Sequence, residues 1–187
     1  MVALVGGLVL FTGRVSTAPQ AGAPTGGDAP FASGVGSAGA IPDISNMTPR
    51  ERFDKLFDRI MKAAETGDGA TVERFAPMAL SAYEMLEDVD SDARYHAALI
   101  RLHTGDVDGA GALADTILKK QPGHLFGILV RGTIARFKQD QKALNQSYAD
   151  FLAHYDAETK AKRPEYQAHP RALEQFLKDA RAARGQS

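Results

Sequence analysis

The residues best suited to chemistry in this sequence are histidines and acidic side chains near the middle of the chain. Asp92 and His96 are four residues apart, and His96 and His103 are seven apart, so each pair would share one face of a helix. Imidazole and carboxylate groups placed in this way are typical ligands of Zn²⁺ and similar ions. A metal centre also needs a third ligand and groups that orient the ligands, which this spacing does not supply. We therefore expect no metal site here, only helical histidines with one ring nitrogen toward solvent.

Motifs for other kinds of chemistry are missing from the sequence. The chain has no cysteine, which excludes disulfides, thiolate metal sites and a cysteine nucleophile. It has no glycine-rich phosphate loop before a helix, no HExxH, no GxSxG and no DxDxDG. The glycines between Gly109 and Ala112 stand at a predicted helix start, where they are expected to permit close packing. The sequence predicts a protein that is not an enzyme and that uses no cofactor.

The charge of the chain is balanced. Twenty-two Lys and Arg face 23 Asp and Glu, which gives a formal net charge of −1. This excludes a strongly basic nucleic-acid binder, and no aromatic residues alternate with basic ones as in base-stacking surfaces, so no nucleic-acid partner is expected. The acidic run from Glu84 to Asp92 is interpreted as a solvated turn, with a cation site as the alternative.

Charged residues are distributed unevenly. Residues 1–47 contain three of them, Arg14, Asp28 and Asp43, and the other 42 follow from Thr48 onward. Residues 16–47 are rich in Ala, Gly, Pro and Ser and have no apolar period, which is typical of a flexible linker. The sequence therefore predicts three parts: an apolar membrane anchor or signal remnant (1–15), a flexible linker (16–47) and a folded domain (48–187).

Within the first part, residues 2–13 form an uncharged apolar run. It is shorter than the roughly 20 residues of a membrane-spanning helix and close to the length of a signal-peptide core, but no basic residues precede it. It is interpreted as part of a membrane anchor, with a cleaved signal peptide and a buried segment as the alternatives. The residues expected to contact the membrane are Val2, Leu4, Val5, Leu8, Val9, Leu10 and Phe11.

From Thr48 onward the pattern predicts helices throughout. Thr48, Pro49 and Glu51 have the form of a capping box with proline at the first helical position, and Gly67 supplies a stop. Further helices are expected to start at Asp68, at Asp90 or Ser91 and at Asp106, to cover about 125–138 and 141–155, and to follow Pro170. Pro77 is expected to kink or break the second of them. Since no segment alternates with period two, the predicted fold class is all-α.

The turns recur at nearly constant spacing. Gly67-Asp68, Gly105-Asp106 and Gln139-Asp140 each join two predicted helices at intervals of 38 and 34 residues. With Ala98 and Ala110 at small packing positions and a proline at 122, the unit from 91 to 122 resembles the tetratricopeptide repeat (TPR) family. The resemblance is weaker before and after this unit, where Gly132 holds one small position. It implies a short right-handed array of about three antiparallel helical hairpins (TPR-like) plus a C-terminal capping helix; a non-repeat bundle is the alternative.

The resemblance also implies a binding surface. In TPR proteins the first helix of each hairpin lines a concave groove that binds peptides or partner helices. Here that groove would be apolar, and the basic set that clamps a peptide carboxylate is missing. The residues implied are Phe57, Met61, Tyr95, Leu99, His103, Phe126, Leu129, Arg136 and Phe137. We expect Tyr95 to be accessible to a partner and Leu99 to be mostly core. Alternatively, several of them form the core or are covered by Phe31 and Ile41 of the linker.

Together these features favour an interaction protein. The expected function is that of a membrane-tethered scaffold or accessory subunit of a bacterial membrane-protein complex, for example photosynthetic or respiratory. Its expected partner is a protein, its N-terminus would contact the membrane, and its helical domain would be periplasmic. The alternatives are a soluble periplasmic assembly factor released by signal cleavage and, more remotely, an enzyme.

Overall fold

Helices form nearly all of the structure that can be described. The computed structural model describes residues 46–185, which contain eight α-helices and no β-strand, so the all-α prediction is confirmed for them. The helices are α1 (Pro49–Glu65), α2 (Gly69–Glu84), α3 (Ser91–His103), α4 (Val107–Lys120), α5 (Leu125–Phe137), α6 (Gln141–Lys160), α7 (Pro164–Ala168) and α8 (Pro170–Arg184).

The predicted helix starts are confirmed by their side-chain caps. The Thr48 side chain accepts from the backbone N–H of Glu51, and the Glu51 carboxylate accepts from the backbone N–H of Thr48 at 2.9 Å, which is a complete capping box. An aspartate caps four of the five helices that follow, accepting in each case from the backbone N–H three residues later. These four residues are Asp68, Asp90, Asp106 and Asp140.

Three of the turns between helices have the same geometry. Gly67, Gly105 and Gln139 have positive φ angles of 74°, 81° and 56°. In each turn the next residue, an aspartate, donates its N–H to the carbonyl five residues earlier, at 2.9, 2.8 and 2.8 Å. This is the Schellman arrangement, and the aspartate then caps the following helix. One turn design is thus repeated at positions 67, 105 and 139.

Three details differ from the sequence-based prediction. Helix α2 continues through Pro77 without a break, and Pro77 is exposed, so its ring does not meet the core. Helix α6 runs five residues beyond the predicted end at Tyr155. Residues 156–160 have no apolar face, so the apolar pattern did not reveal this part of the helix. The short helix α7 was not predicted.

Helices that are adjacent in the sequence pack against each other. Helix α1 packs on α2, α3 on α4 and α5 on α6, while α4 also contacts α5 and α8 contacts α6. The buried side chains form one cluster among α1, α2 and α3 and a second from α3 to α8, and Leu99 and Leu113 pack against both. Gly132 lets α8 approach α5, because a Cβ there would lie 2.5 Å from Cζ of Phe176.

The predicted membrane anchor lies outside the described residues, as does the linker up to residue 45. Of the helices in residues 46–185, none has both the length and the apolar character needed to span a bilayer.

Candidate functional site

The nine residues predicted to line a partner groove do not form one open surface. Phe57, Tyr95, Phe126 and Leu129 are buried, and only 3% of Tyr95 is exposed. Met61, Leu99 and Phe137 are partly exposed, whereas His103 and Arg136 are exposed. The expectation for Tyr95 is therefore wrong, because Tyr95 belongs to the core, whereas Leu99 packs against both core clusters and keeps some exposure.

Tyr95 is buried because the chain covers this face with a later segment. We call residues 161–169, between α6 and α8, the closing segment. The ring of Tyr95 stacks on Phe126 with centroids 4.1 Å apart, and His169 meets both rings edge-on at 5.5 Å. Tyr166 packs edge-on against Phe126 at 5.2 Å. The first turns of α3 and α5 are therefore closed by residues 166 and 169; the linker residues Phe31 and Ile41, which the sequence suggested as a cover, lie outside the described residues.

One end of the closing segment is attached through Tyr166. Its hydroxyl accepts from the backbone N–H of Leu125 at 3.0 Å and donates to the Glu158 carboxylate at 2.7 Å. Arg163 donates to the same carboxylate at 3.1 Å. Burial, followed by the hydrogen bond to the Glu158 carboxylate, raises the pKa of Tyr166 well above its usual value. The hydroxyl therefore remains protonated and keeps both hydrogen bonds.

A fully buried histidine lies beside this attachment. His124 caps α5 by accepting from the backbone N–H of Phe126 at its Nδ1, 3.3 Å away, which places the ring proton on Nε2. Nε2 lies 3.4 Å from the Glu165 carboxylate. Burial lowers the pKa of His124 despite this carboxylate. A neutral imidazole with both nitrogens engaged serves structure, so His124 is part of the attachment.

The other end of the closing segment meets α3 through a cluster of three groups. His169 Nε2 lies 2.9 Å from His96 Nε2 and 3.0 Å from Asp92 Oδ1. His96 Nε2 is 3.5 Å from the same Asp92 oxygen. Among the described residues, this is the cluster whose geometry would suit a metal ion. We call Asp92, His96 and His169 the histidine–aspartate cluster.

Arg50 organises the acidic groups around this cluster. Its guanidinium lies 2.8 Å from each of Asp54, Asp90 and Asp92, and on Asp92 it binds Oδ2, so that Oδ1 remains for the histidines. Burial raises the pKa of Asp92, but the hydrogen bond from His169 and the charges of both histidines and Arg50 bring it below its usual value. Asp92 is therefore a carboxylate under ordinary conditions.

His96 is the buried member of the cluster. The residue is 7% exposed, and its ring stacks on Phe57 with centroids 3.7 Å apart. Burial is the main cause that lowers its pKa to about 4, so the ring is neutral near pH 7. Its Nδ1 is buried without a hydrogen-bond partner, and the nearest carboxylate oxygen, on Asp54, is 3.9 Å away.

The sequence supplied two of these three groups. The four-residue spacing of Asp92 and His96 indicated a shared helix face, and the structure confirms that both side chains point to one place. His169 was missed because it is 73 residues from His96 in sequence, outside any local pattern. His103, which the spacing placed on the same helix face as His96, is exposed and does not join the cluster. The expectation of one ring nitrogen toward solvent is wrong for His96, because its Nδ1 is buried.

The family models, the curated proteins and the solved structures compared with this chain contain no match to it.

Proposed function

We propose that this chain is a non-enzymatic protein–protein interaction module of the TPR-like type. The observation that carries the proposal is the turn repeated at positions 67, 105 and 139, each time between two helices that pack on each other. Units that repeat at this spacing and bury their faces on their neighbours are typical of helical repeat proteins, which present extended binding surfaces. In this proposal α8 is the capping helix of a short array.

The proposed partner-binding surface is the part of the inner face that the closing segment leaves accessible. It comprises the later turns of α1, α3 and α5, where Met61, Leu99, His103 and Phe137 keep some exposure. Phe137 is the best anchor on this surface, because its ring is partly exposed at the end of α5. Aromatic side chains dominate the binding energy of many interfaces. An apolar helix or extended segment of a partner protein suits this surface.

We further propose that the module is tethered to a membrane as a scaffold or accessory subunit of a bacterial membrane complex, with the helical domain in the periplasm. The support is the apolar, uncharged run at residues 2–13, followed by a segment rich in Ala, Gly, Pro and Ser. Release of a soluble periplasmic factor by signal cleavage is the competing hypothesis.

A capture experiment with the full chain tests the proposal. Detergent-solubilised membranes are passed over the immobilised protein, and bound proteins are identified by mass spectrometry. We expect Phe137→Ser to weaken capture by roughly thirtyfold, which corresponds to about 2 kcal/mol for an interface anchor. The matched control is Met85→Ser, which removes an apolar side chain that is 57% exposed and follows α2, so it is not one of the residues of the proposed surface.

Two outcomes contradict the proposal. Equal capture by Phe137→Ser and by the unchanged chain would exclude this surface as the binding site. Recovery of no membrane protein by any variant would exclude the scaffold role. Mass spectrometry of the N-terminal peptide from the native source separates the tethered form, which keeps the apolar run, from the secreted form, which has lost it.

A further inference from the structure

We propose that the histidine–aspartate cluster binds a divalent transition-metal ion, with Zn²⁺ as the best fit, and that the ion joins the closing segment to α3. The proposal concerns the isolated chain and goes beyond the interaction role proposed above. The ligands would be Nε2 of His96, Nε2 of His169 and Oδ1 of Asp92. The first two residues belong to elements far apart in sequence, so the ion would cross-link the fold.

The separations of the three donor atoms match those around a small metal ion. The two Nε2 atoms are 2.9 Å apart, and the Asp92 oxygen lies 3.0 and 3.5 Å from them. Ligand atoms bound to tetrahedral Zn²⁺ at about 2.0–2.1 Å lie about 3.3 Å from one another. The triangle therefore needs to open by only a few tenths of an ångström to accept the ion, which is within the range of side-chain adjustment.

The position of the ring proton on His96 already suits this histidine as a metal ligand. Two imidazole rings that face each other through Nε2 hold one proton between these nitrogens, and here His169 can donate it to both His96 Nε2 and Asp92 Oδ1. His96 then carries its own proton on Nδ1, which is buried without a partner. A ligand position for His96 Nε2 requires this same tautomer. Binding of an ion by His169 Nε2 requires the ring proton of His169 to move from Nε2 to Nδ1, whereas His96 keeps its tautomer.

The surroundings supply the groups that usually support metal ligands. A metal-bound histidine typically donates its other ring N–H to a carboxylate; the Asp54 carboxylate lies 3.9 Å from His96 Nδ1, makes no hydrogen bond to it here, and would have to move closer to support the ligand. Arg50 fixes Asp92 through Oδ2 and leaves Oδ1 as a single ligand atom. The one positive charge of Arg50 is outnumbered by the carboxylates of Asp54, Asp90 and Asp92, so the site attracts a cation.

The ligand types select among metals. Two imidazole nitrogens and one carboxylate oxygen suit Zn²⁺ and neighbouring transition metals, whereas Ca²⁺ and Mg²⁺ prefer oxygen ligands alone. Side chains of Asp92 and His169 keep 17% and 21% exposure, so the ion has an entry path and water can complete its coordination.

Titration of the full, metal-stripped chain with Zn²⁺ in a calorimeter tests the proposal, and Co²⁺ serves as a spectroscopic probe. We expect one ion per chain and the visible absorption of Co²⁺ bound by mixed nitrogen and oxygen ligands. His169→Gln should weaken Zn²⁺ affinity at least tenfold, and Asp54→Asn by about 10–100-fold through loss of the supporting carboxylate. His103→Gln is the matched control, because His103 is an exposed histidine on the same helix as His96.

Far-UV circular dichroism checks that each variant is folded. His169 and Asp54 are partly exposed, so their variants keep the test valid even where a change at the buried His96 prevents folding. Absence of one-to-one binding by the unchanged chain would overturn the proposal. The proposal would also fail if His169→Gln bound Zn²⁺ as tightly as the unchanged chain, or if His103→Gln lost as much Zn²⁺ affinity as His169→Gln. Either result would place the ion elsewhere.

Discussion

At the scale of single residues, backbone conformation decides which positions tolerate change. Gly105 ends α3 with a φ of 81°, in the left-handed region that side chains rarely adopt. Gly69 begins α2, and a Cβ there would meet no atom within 4 Å. Backbone geometry therefore requires glycine at position 105, whereas the surroundings of Gly69 leave room for a side chain.

This difference gives the first prediction. Gly105→Val should lower the free energy of unfolding by about 1–3 kcal/mol, because valine in the left-handed region is strained and the Schellman turn depends on that conformation. Urea denaturation followed by circular dichroism measures it. Gly69→Ala is the control and should be neutral or slightly stabilising. An unchanged midpoint for Gly105→Val would show that the turn relaxes without cost.

At the scale of elements, the closing segment is held at two places of different chemistry. Tyr166 attaches it to the start of α5, where its hydroxyl is bonded to Leu125 and Glu158. His169 attaches it to α3 through the histidine–aspartate cluster. Between them the rings of Tyr95 and Phe126 are removed from solvent. The element closes the inner face by polar contacts at both ends and aromatic contacts between them.

The second prediction tests the first attachment. Tyr166→Phe keeps the ring but removes the hydroxyl, so the buried N–H of Leu125 loses its acceptor. An unsatisfied buried donor costs about 1–3 kcal/mol, and we expect that loss of stability in urea denaturation. Tyr155→Phe serves as the control, since Tyr155 is only partly buried on α6. Equal stability of the two variants would mean that the hydroxyl contributes little to closure.

Local signals in the sequence predicted the elements better than their assembly. The capping box at Thr48 and the caps at Asp68 and Asp106 depend on residues three positions apart, so spacing alone revealed them. The closing segment depends on contacts such as the one between His96 and His169. These residues are 73 positions apart, and no local period in the sequence relates them. For the same reason Tyr95 looked like a groove residue, although His169 and Phe126 bury it.

At the scale of the whole molecule, the apolar core of the described residues 46–185 extends from Phe53 to Ala180 and forms two clusters that meet at Leu99 and Leu113. Gly132 lets α8 approach α5 within the second cluster, because a Cβ there would meet the ring of Phe176. Within residues 46–185, the core is assembled from side chains of the helices themselves. We therefore expect the helical domain to fold without residues 1–40.

The third prediction follows from this arrangement. Removal of residues 1–40 should leave a monodisperse helical domain whose thermal midpoint stays within a few degrees of the full chain, because no side chain of the described core is lost. The same truncation should release the protein from membranes, since it removes the apolar run and leaves all 42 charged residues from Thr48 onward. Size-exclusion chromatography, thermal melting and membrane flotation measure the two effects.

Removal of residues 16–40 alone is the control: it shortens the linker, keeps the apolar run and should keep membrane association. Aggregation or early melting of the 1–40 deletion would show instead that the apolar run is part of the core, and the tether hypothesis would fail.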